Sequence, residues 1–82
     1  MRKVFVPVVL RVDEDGKPEP KAIEFDGKRY AVDRVLERCS AACQSVGGVG
    51  HRYTCVVWGQ VRELWEEKGR WFVVLPDPPR TN

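Results

Sequence analysis

Apolar and polar residues alternate along several short stretches of the chain, which is the period of a half-buried β-strand. The clearest alternation covers residues 51–58, directly after a cluster of three glycines. We predict that the odd-numbered side chains from Tyr53 to Val57 point into the protein. The opposite parity then leaves Arg52 and Trp58 facing solvent. This segment is predicted to be the central strand of a sheet.

The first half of the chain carries two further strand signals. Residues 3–12 have valine or leucine at every even position, so we predict one strand with a fully apolar face. Pro7 lacks a backbone N–H, which predicts an edge position or a bulge there. The polar segment 13–20 is predicted to be a turn or loop. Asp26-Gly27 predicts a two-residue hairpin turn, because a type I′ turn requires positive φ at both central residues.

The segment 33–43 fits two patterns. A stripe of apolar residues at helical spacing favours a helix capped by Asp33. The alternative is a strand with a bulge at Asp33 and Arg34, which moves Val35 to the inner face. We favour the bulged strand and extend it to about Arg38, because a shorter return strand would leave its hairpin partner under-paired.

The remaining segments complete an all-β pattern. We predict a connecting loop at 40–50 and strands at 61–66 and 70–75, separated by glycine turns. Five to six short antiparallel strands separated by glycine turns indicate a small, partly open barrel or a rolled sheet. This barrel is predicted to be a single domain covering residues 1–75. Prolines then end all ladder pairing, so residues 76–82 are predicted to be a disordered, proline-rich tail.

Composition and charge add bounds on function. With 82 residues the chain has the size of one domain. Its formal net charge of +2 is far from the basic balance of a dedicated nucleic-acid binder. The three cysteines are an odd number, which favours a reducing compartment, so we expect a cytoplasmic protein. No apolar stretch has the length of a membrane span, and we expect no membrane partner.

Three segments together resemble a known group of proteins. These are the run 26–36 (DGKRYAVDRVL), the glycine cluster 47–50 followed by Arg-Tyr-Thr at 52–54, and Arg-Trp-Phe-Val at 70–73. The set is similar to small, uncharacterised bacterial proteins that are expected to form SH3-like β-barrels. The resemblance implies an all-β fold and a strand after Asp33. It implies no activity and no functional residue.

Four side chains have the ligand types of a zinc site: Cys39, Cys43, His51 and Cys55. Their spacing matches no common zinc finger, and residues four apart in a strand are separated by about 13 Å. His51 and Cys55 are therefore too far apart to share one ion or to act as a catalytic pair. We expect no metal, no cofactor and no enzymatic activity, and these four residues are the candidates if zinc is found.

The outer face of the predicted barrel is the best candidate for binding. It combines aromatic and basic side chains, and the candidate residues are Phe5, Arg11, Arg29, Arg52 and Trp58. A thin barrel cannot cover all of its aromatic rings, and exposed aromatic anchors dominate protein interfaces. We therefore expect a binding module for a protein partner or for a second copy of itself. The alternative is an accessory domain for single-stranded nucleic acid, since such binders interleave cations with stacking rings.

Overall fold

The computed structural model describes residues 1–42 and 49–79 of the chain. Seven strands form in these ranges: β1 (Arg2–Phe5), β2 (Val8–Val12), β3 (Pro18–Phe25), β4 (Lys28–Ala42), β5 (Val49–Val57), β6 (Gln60–Glu67) and β7 (Arg70–Leu75). They pair antiparallel in the order β1-β7-β6-β5-β4-β3-β2, and the sheet curls into a half-barrel. The all-β prediction is confirmed, but the strand number is seven and not five to six.

The additional strand results from Pro7, which divides the segment predicted as one strand. The N–H of Val6 donates to the carbonyl of Trp71 at 3.0 Å, and the carbonyl of Pro7 accepts from the N–H of Glu24 at 2.9 Å. The segment therefore pairs with β7 before the proline and with β3 after it. Because β7 and β3 lie far apart in the sheet order, residues 2–12 connect its two ends.

Three hairpins of the sheet close through two-residue turns with positive φ at both positions, as type I′ geometry requires. The turns are Asp26-Gly27 (φ 52° and 75°), Trp58-Gly59 (52° and 69°) and Lys68-Gly69 (51° and 80°). The prediction of a hairpin at Asp26-Gly27 is thus confirmed. Trp58, which the alternation assigns to the strand, instead forms the first position of a turn.

The segment 33–43 extends β4 as a bulged strand, and the helical alternative is wrong for its described residues. The register with β5 shifts between Val32 and Arg34, where the bulge was predicted, and again between Val35 and Glu37. Val35 consequently packs against the core. The strand continues past Arg38, since Ala41 pairs with Gly50 and Ala42 with Val49. The predicted loop 40–50 is therefore shorter than expected, and residues 43–48 lie outside the described ranges.

The core occupies the concave side of the sheet and confirms the inner parity predicted for β5. Its buried residues are Val6, Ile23, Val32, Tyr53, Cys55, Leu64 and Trp71. The Tyr53 and Trp71 rings contact at 5.0 Å between centroids. Cys55 has no exposed surface, and burial raises the pKa of its thiol to about 11. The Cys55 thiol is therefore protonated at neutral pH and acts as a small apolar core group.

Strand pairing ends at Leu75, in agreement with the proline signal. Residues 76–79 lie outside any strand, and the Met1 ammonium group forms an ion pair with Asp77 at 3.1 Å. Residues 80–82 lie outside the described ranges, so disorder of the tail stays a prediction. Across the described residues, no helix has the length and apolar character needed to cross a bilayer.

Candidate functional site

Trp58 is the most exposed large apolar side chain among the described residues, with 74% of its surface open to solvent. It occupies the first position of the β5–β6 turn at φ 52°, where asparagine, aspartate or glycine is preferred. A bulky L-residue in this conformation costs about 1–2 kcal/mol. Neither the turn conformation nor packing in the core therefore explains the presence of a tryptophan at this position. Backbone strain of this kind clusters at functional sites.

Among the described residues, Trp58 has one aromatic neighbour. Its ring contacts Tyr30 of β4 edge to face, at 5.3 Å between centroids and an interplanar angle of 71°. Tyr30 is half-buried, so this contact holds the indole against the sheet while leaving most of its surface free. We call Trp58 and Tyr30 the turn patch.

The turn patch borders an apolar cleft of about 440 Å³. Tyr30 belongs to both features. Side chains of the core reach the cleft from one side, among them Cys55, Val57, Leu64 and Val73. Val61, Glu63 and Val74 line it from β6 and β7. Val61 is 61% exposed, so the apolar surface continues from the cleft to solvent.

The cleft exists because β6 and β7 diverge. Their pairing covers only Trp65 to Glu67 of β6 against Arg70 to Phe72 of β7. Before Trp65, β6 pairs with β5 alone, and after Phe72, β7 pairs with β1 alone. The two strands therefore separate toward the end of the sheet where the turn patch lies. We call this gap the β6–β7 cleft.

A second aromatic group lies on the opposite, convex face of the sheet. Register pairs place five side chains in one row across five strands: Cys39, Arg52, Trp65, Phe72 and Phe5. Trp65 stacks on Phe72 with centroids 6.2 Å apart and an angle of 10°. Phe5 meets Phe72 edge to face at 5.7 Å. We call this set the convex row.

Cations cover the rings of the convex row. The Arg52 guanidinium lies 6.0 Å from the Trp65 centroid, and the Lys3 ammonium lies 4.8 Å from that of Phe72. The Arg70 guanidinium lies 3.9 Å from the Phe5 centroid. Trp65 and Phe72 are buried, with only 7% and 2% of their surface accessible to solvent. The basic–aromatic pattern of this face thus forms a second core rather than a set of open stacking platforms.

The five predicted binding residues do not form one surface. Phe5 and Arg52 both belong to the convex row. Trp58 lies six residues from Arg52 along β5 and its turn, about 20 Å at the rise of a strand. Arg11 pairs in register with Glu19 in β2–β3, and Arg29 forms an ion pair with Glu24 at 3.1 Å. The predicted joint surface of Arg52 and Trp58 is therefore not formed.

The structure also separates Cys39 and Cys55, two of the four possible zinc ligands. Cys39 lies on the convex face, where its Sγ accepts from the Arg52 guanidinium at 3.5 Å, whereas Cys55 points to the concave core. His51 Nδ1 lies 3.0 Å from a carboxylate oxygen of Glu66. Cys43 lies outside the described ranges. Because Cys39 and Cys55 face opposite sides of the sheet, they cannot share one ion, and the described residues contain no cluster of three metal-ligand side chains.

Sequence reasoning identified Trp58 but missed the roles of Tyr30 and Val61. The dipeptide Trp58-Gly59 carried a usable signal, since a residue before glycine between two strands is typical of a type I′ turn. If Trp58-Gly59 is such a turn, Trp58 lies at the tip of a hairpin and is exposed whichever face of β5 is buried. The cleft has no comparable local signal, because it depends on where two strands stop pairing.

Comparison of the chain with protein-family models, with curated proteins and with solved structures finds no match. The resemblance to small bacterial SH3-like barrels therefore stays a prediction. The geometry of the described residues alone carries the functional argument.

Proposed function

We propose that the protein is a non-enzymatic binding module of the SH3-like barrel type, which recognises a protein partner through the turn patch. The observation that carries the proposal is the exposed indole of Trp58, on a residue with strained backbone geometry, beside the apolar β6–β7 cleft. Tryptophan is the residue type most enriched among the anchors that supply interface binding energy. An anchor next to an apolar cleft is the arrangement expected of a docking site for a side chain or a peptide.

The segment 2–12 supports the barrel assignment. It pairs with β7 on one side of Pro7 and with β3 on the other, so one bent segment joins both ends of the curled sheet. A sheet closed in this way hides most of its edges. We also propose a cytoplasmic location, because Cys39 and Cys55 are free thiols and the cysteine number is odd.

The distribution of cations favours a protein partner over single-stranded nucleic acid. Base stacking requires open rings, and the rings of Trp65 and Phe72 are covered by Arg52 and Lys3. Lys3 is moreover paired with Glu67 at 2.9 Å. Neither ring of the turn patch has a cation over its face among the described residues.

The test is selection of displayed random ten-residue peptides on the immobilised protein, followed by affinity measurement by isothermal titration calorimetry. Loss of an aromatic anchor removes at least about 2 kcal/mol, so Trp58→Asn should weaken the selected peptides by about 30-fold or more. The matched control is Val12→Asn, which changes another exposed apolar residue far from the turn patch and should leave affinity within about twofold.

Two results would contradict the proposal. One is the failure of any peptide to bind in a Trp58-dependent manner. The other is binding of a single-stranded oligonucleotide at low salt that Arg52→Gln abolishes and Trp58→Asn leaves unchanged. The second result would favour the nucleic-acid alternative, and such binding should weaken steeply with added salt because counterions are released.

A further inference from the structure

We infer that the β6–β7 cleft is an acceptor for a β-strand, and that an extended segment of the partner protein adds to the open edge of β6. The inference rests on the proposed function and specifies how the partner binds. It depends on main-chain groups rather than on Trp58, so the two proposals can fail separately.

The β5–β6 turn determines which residues of β6 direct their main-chain N–H and C=O groups toward β5 and which direct them toward β7. In a two-residue hairpin the flanking residues, Val57 and Gln60, form a hydrogen-bonded pair, and such pairs then alternate along the ladder. Arg62 and Leu64 therefore direct their main-chain groups to β5. Val61 and Glu63 direct their N–H and C=O groups the other way, toward β7.

The same reasoning gives the direction of the main-chain N–H and C=O groups along β7. Glu67 and Arg70 flank the β6–β7 turn, so Arg70 and Phe72 direct their main-chain groups to β6. The main-chain groups of Val74 also point to the β6 side, but β6 has already separated from β7 at that position. Trp71 and Val73 direct theirs to β1, in agreement with the hydrogen bond from the Val6 N–H to the Trp71 carbonyl.

Open main-chain groups therefore line both sides of the cleft: those of Val61 and Glu63 on β6, and those of Val74 on β7. All three residues line the cleft, and the register pairing of β6 with β7 does not extend to them. Unpaired edge groups beside an apolar floor are the requirement for β-strand addition, in which main-chain bonds give affinity and alternate side chains give specificity.

A second copy of the chain is a poor occupant. In an isologous β6–β6 pairing, the register that sets Val61 against Glu63 of the other copy also sets Arg62 directly against Arg62. The register centred on Glu63 sets two glutamates against each other, and the one centred on Val61 places Glu63 opposite a turn glycine. Like charges directly opposite are destabilising. The edge is therefore suited to a segment of different sequence.

The side chains of β6 specify that segment. Arg62 and Leu64 share the concave face with Cys55 and Tyr53, their register partners on β5. Arg62 is exposed at the mouth of the cleft and forms no ion pair among the described residues, whereas Leu64 is buried. The incoming strand should place an acidic residue opposite Arg62 and a large apolar residue, two positions away, opposite Leu64.

The experiment uses the peptides selected on the intact protein. Peptides that bind should carry an acidic and a large apolar residue two positions apart, and Arg62→Gln should remove the acidic preference. N-methylation at successive peptide positions should weaken binding by about tenfold or more at every second position, because only alternate amides pair with an edge. Since the protein is unchanged in that scan, failure to fold cannot imitate the result.

Variants and hydrogen exchange test the acceptor side. Glu63→Pro removes an N–H that the fold leaves unpaired, so it should keep the fold and weaken binding at least about tenfold. Glu63→Ala, the matched control, keeps that N–H and should change affinity little. In the free protein the amides of Val61, Glu63 and Val74 should exchange rapidly, and peptide binding should slow exchange on β6.

Specific outcomes would overturn strand addition. Uniform tolerance of N-methylation in peptides that still require Trp58 would leave the proposed function standing and exclude this binding mode. Slow exchange of the three amides in the free monomer would show that the edge is already paired. A dimer in sedimentation that protects the same amides would make a second copy the occupant. Absence of any Trp58-dependent peptide would instead reject the proposed function itself.

Discussion

The protein has two aromatic groups, each built around a tryptophan, and they differ in exposure: one is buried and the other is largely open to solvent. In the convex row, Trp65 and Phe72 stack, and the side chains of Arg52 and Lys3 lie over them. In the turn patch, Trp58 contacts the ring of Tyr30 and stays largely exposed. Long basic side chains cover apolar surface with their stems while their charged heads stay in water. What separates a core from a candidate interface here is therefore the presence of such covering residues.

The largest expected effect comes from removing a ring of the convex row. Phe72→Ala should lower the free energy of unfolding by about 3–5 kcal/mol, the usual cost of truncating a buried aromatic residue. Urea denaturation followed by circular dichroism measures it. Phe25→Ala, which truncates a partly exposed phenylalanine, is the control and should cost much less. Equal losses in the two variants would contradict the description of the convex row as a second core.

A substitution in the turn patch should raise, rather than lower, the free energy of unfolding. Trp58→Asn replaces a strained residue with one that tolerates positive φ, so the free energy of unfolding should rise by about 1 kcal/mol. Thermal unfolding measures the change, and Lys68→Asn at the equivalent position of the β6–β7 turn is the matched comparison. A marked loss of stability in Trp58→Asn would mean that the indole serves the fold.

The smallest effect concerns the covering charges. A hydrogen bond from Lys3, with its charge, lowers the pKa of the Glu67 carboxyl below its ordinary value. A carboxyl whose pKa is lower in the folded state stabilises the fold above its unfolded pKa of about 4.3 and loses this contribution as the pH falls. The wild type should thus lose slightly more thermal stability than Glu67→Gln between neutral pH and about pH 3. Parallel pH curves for the two proteins would show that the pair contributes nothing.

The features that could be predicted from the sequence are those encoded by adjacent residues. Alternation identified the buried face of Tyr53 and Cys55, and Asp26-Gly27 identified a hairpin through its backbone requirement. The bulge at Asp33-Arg34 was predicted because it brings Val35 to the inner face. Each of these follows from local geometry, with periods and turn types that a few neighbours determine.

The features that escaped prediction depend on pairing between distant segments. Pro7 signals an interruption, but nothing nearby indicates that the strand changes partners across it. The cover of Phe72 by Lys3 requires β1 to lie beside β7, a pairing between residues about 70 positions apart. The cleft likewise depends on where β6 leaves β7. The candidate site was therefore predictable as far as Trp58, whereas its neighbourhood was not.

The arrangement of the segment 2–12 has a consequence for how the protein acquires its structure during synthesis. β1 hydrogen-bonds to residues 72–75, so it leaves the ribosome before its partner β7 and must wait for that strand. Contacts of such long sequence separation slow folding, because a large loop has to close before they form. Until then the edges of β1 and β7 are unpaired, and the apolar even-numbered side chains of residues 4–12 are exposed to other chains. A nascent molecule would depend on chaperones or rapid completion to avoid aggregation.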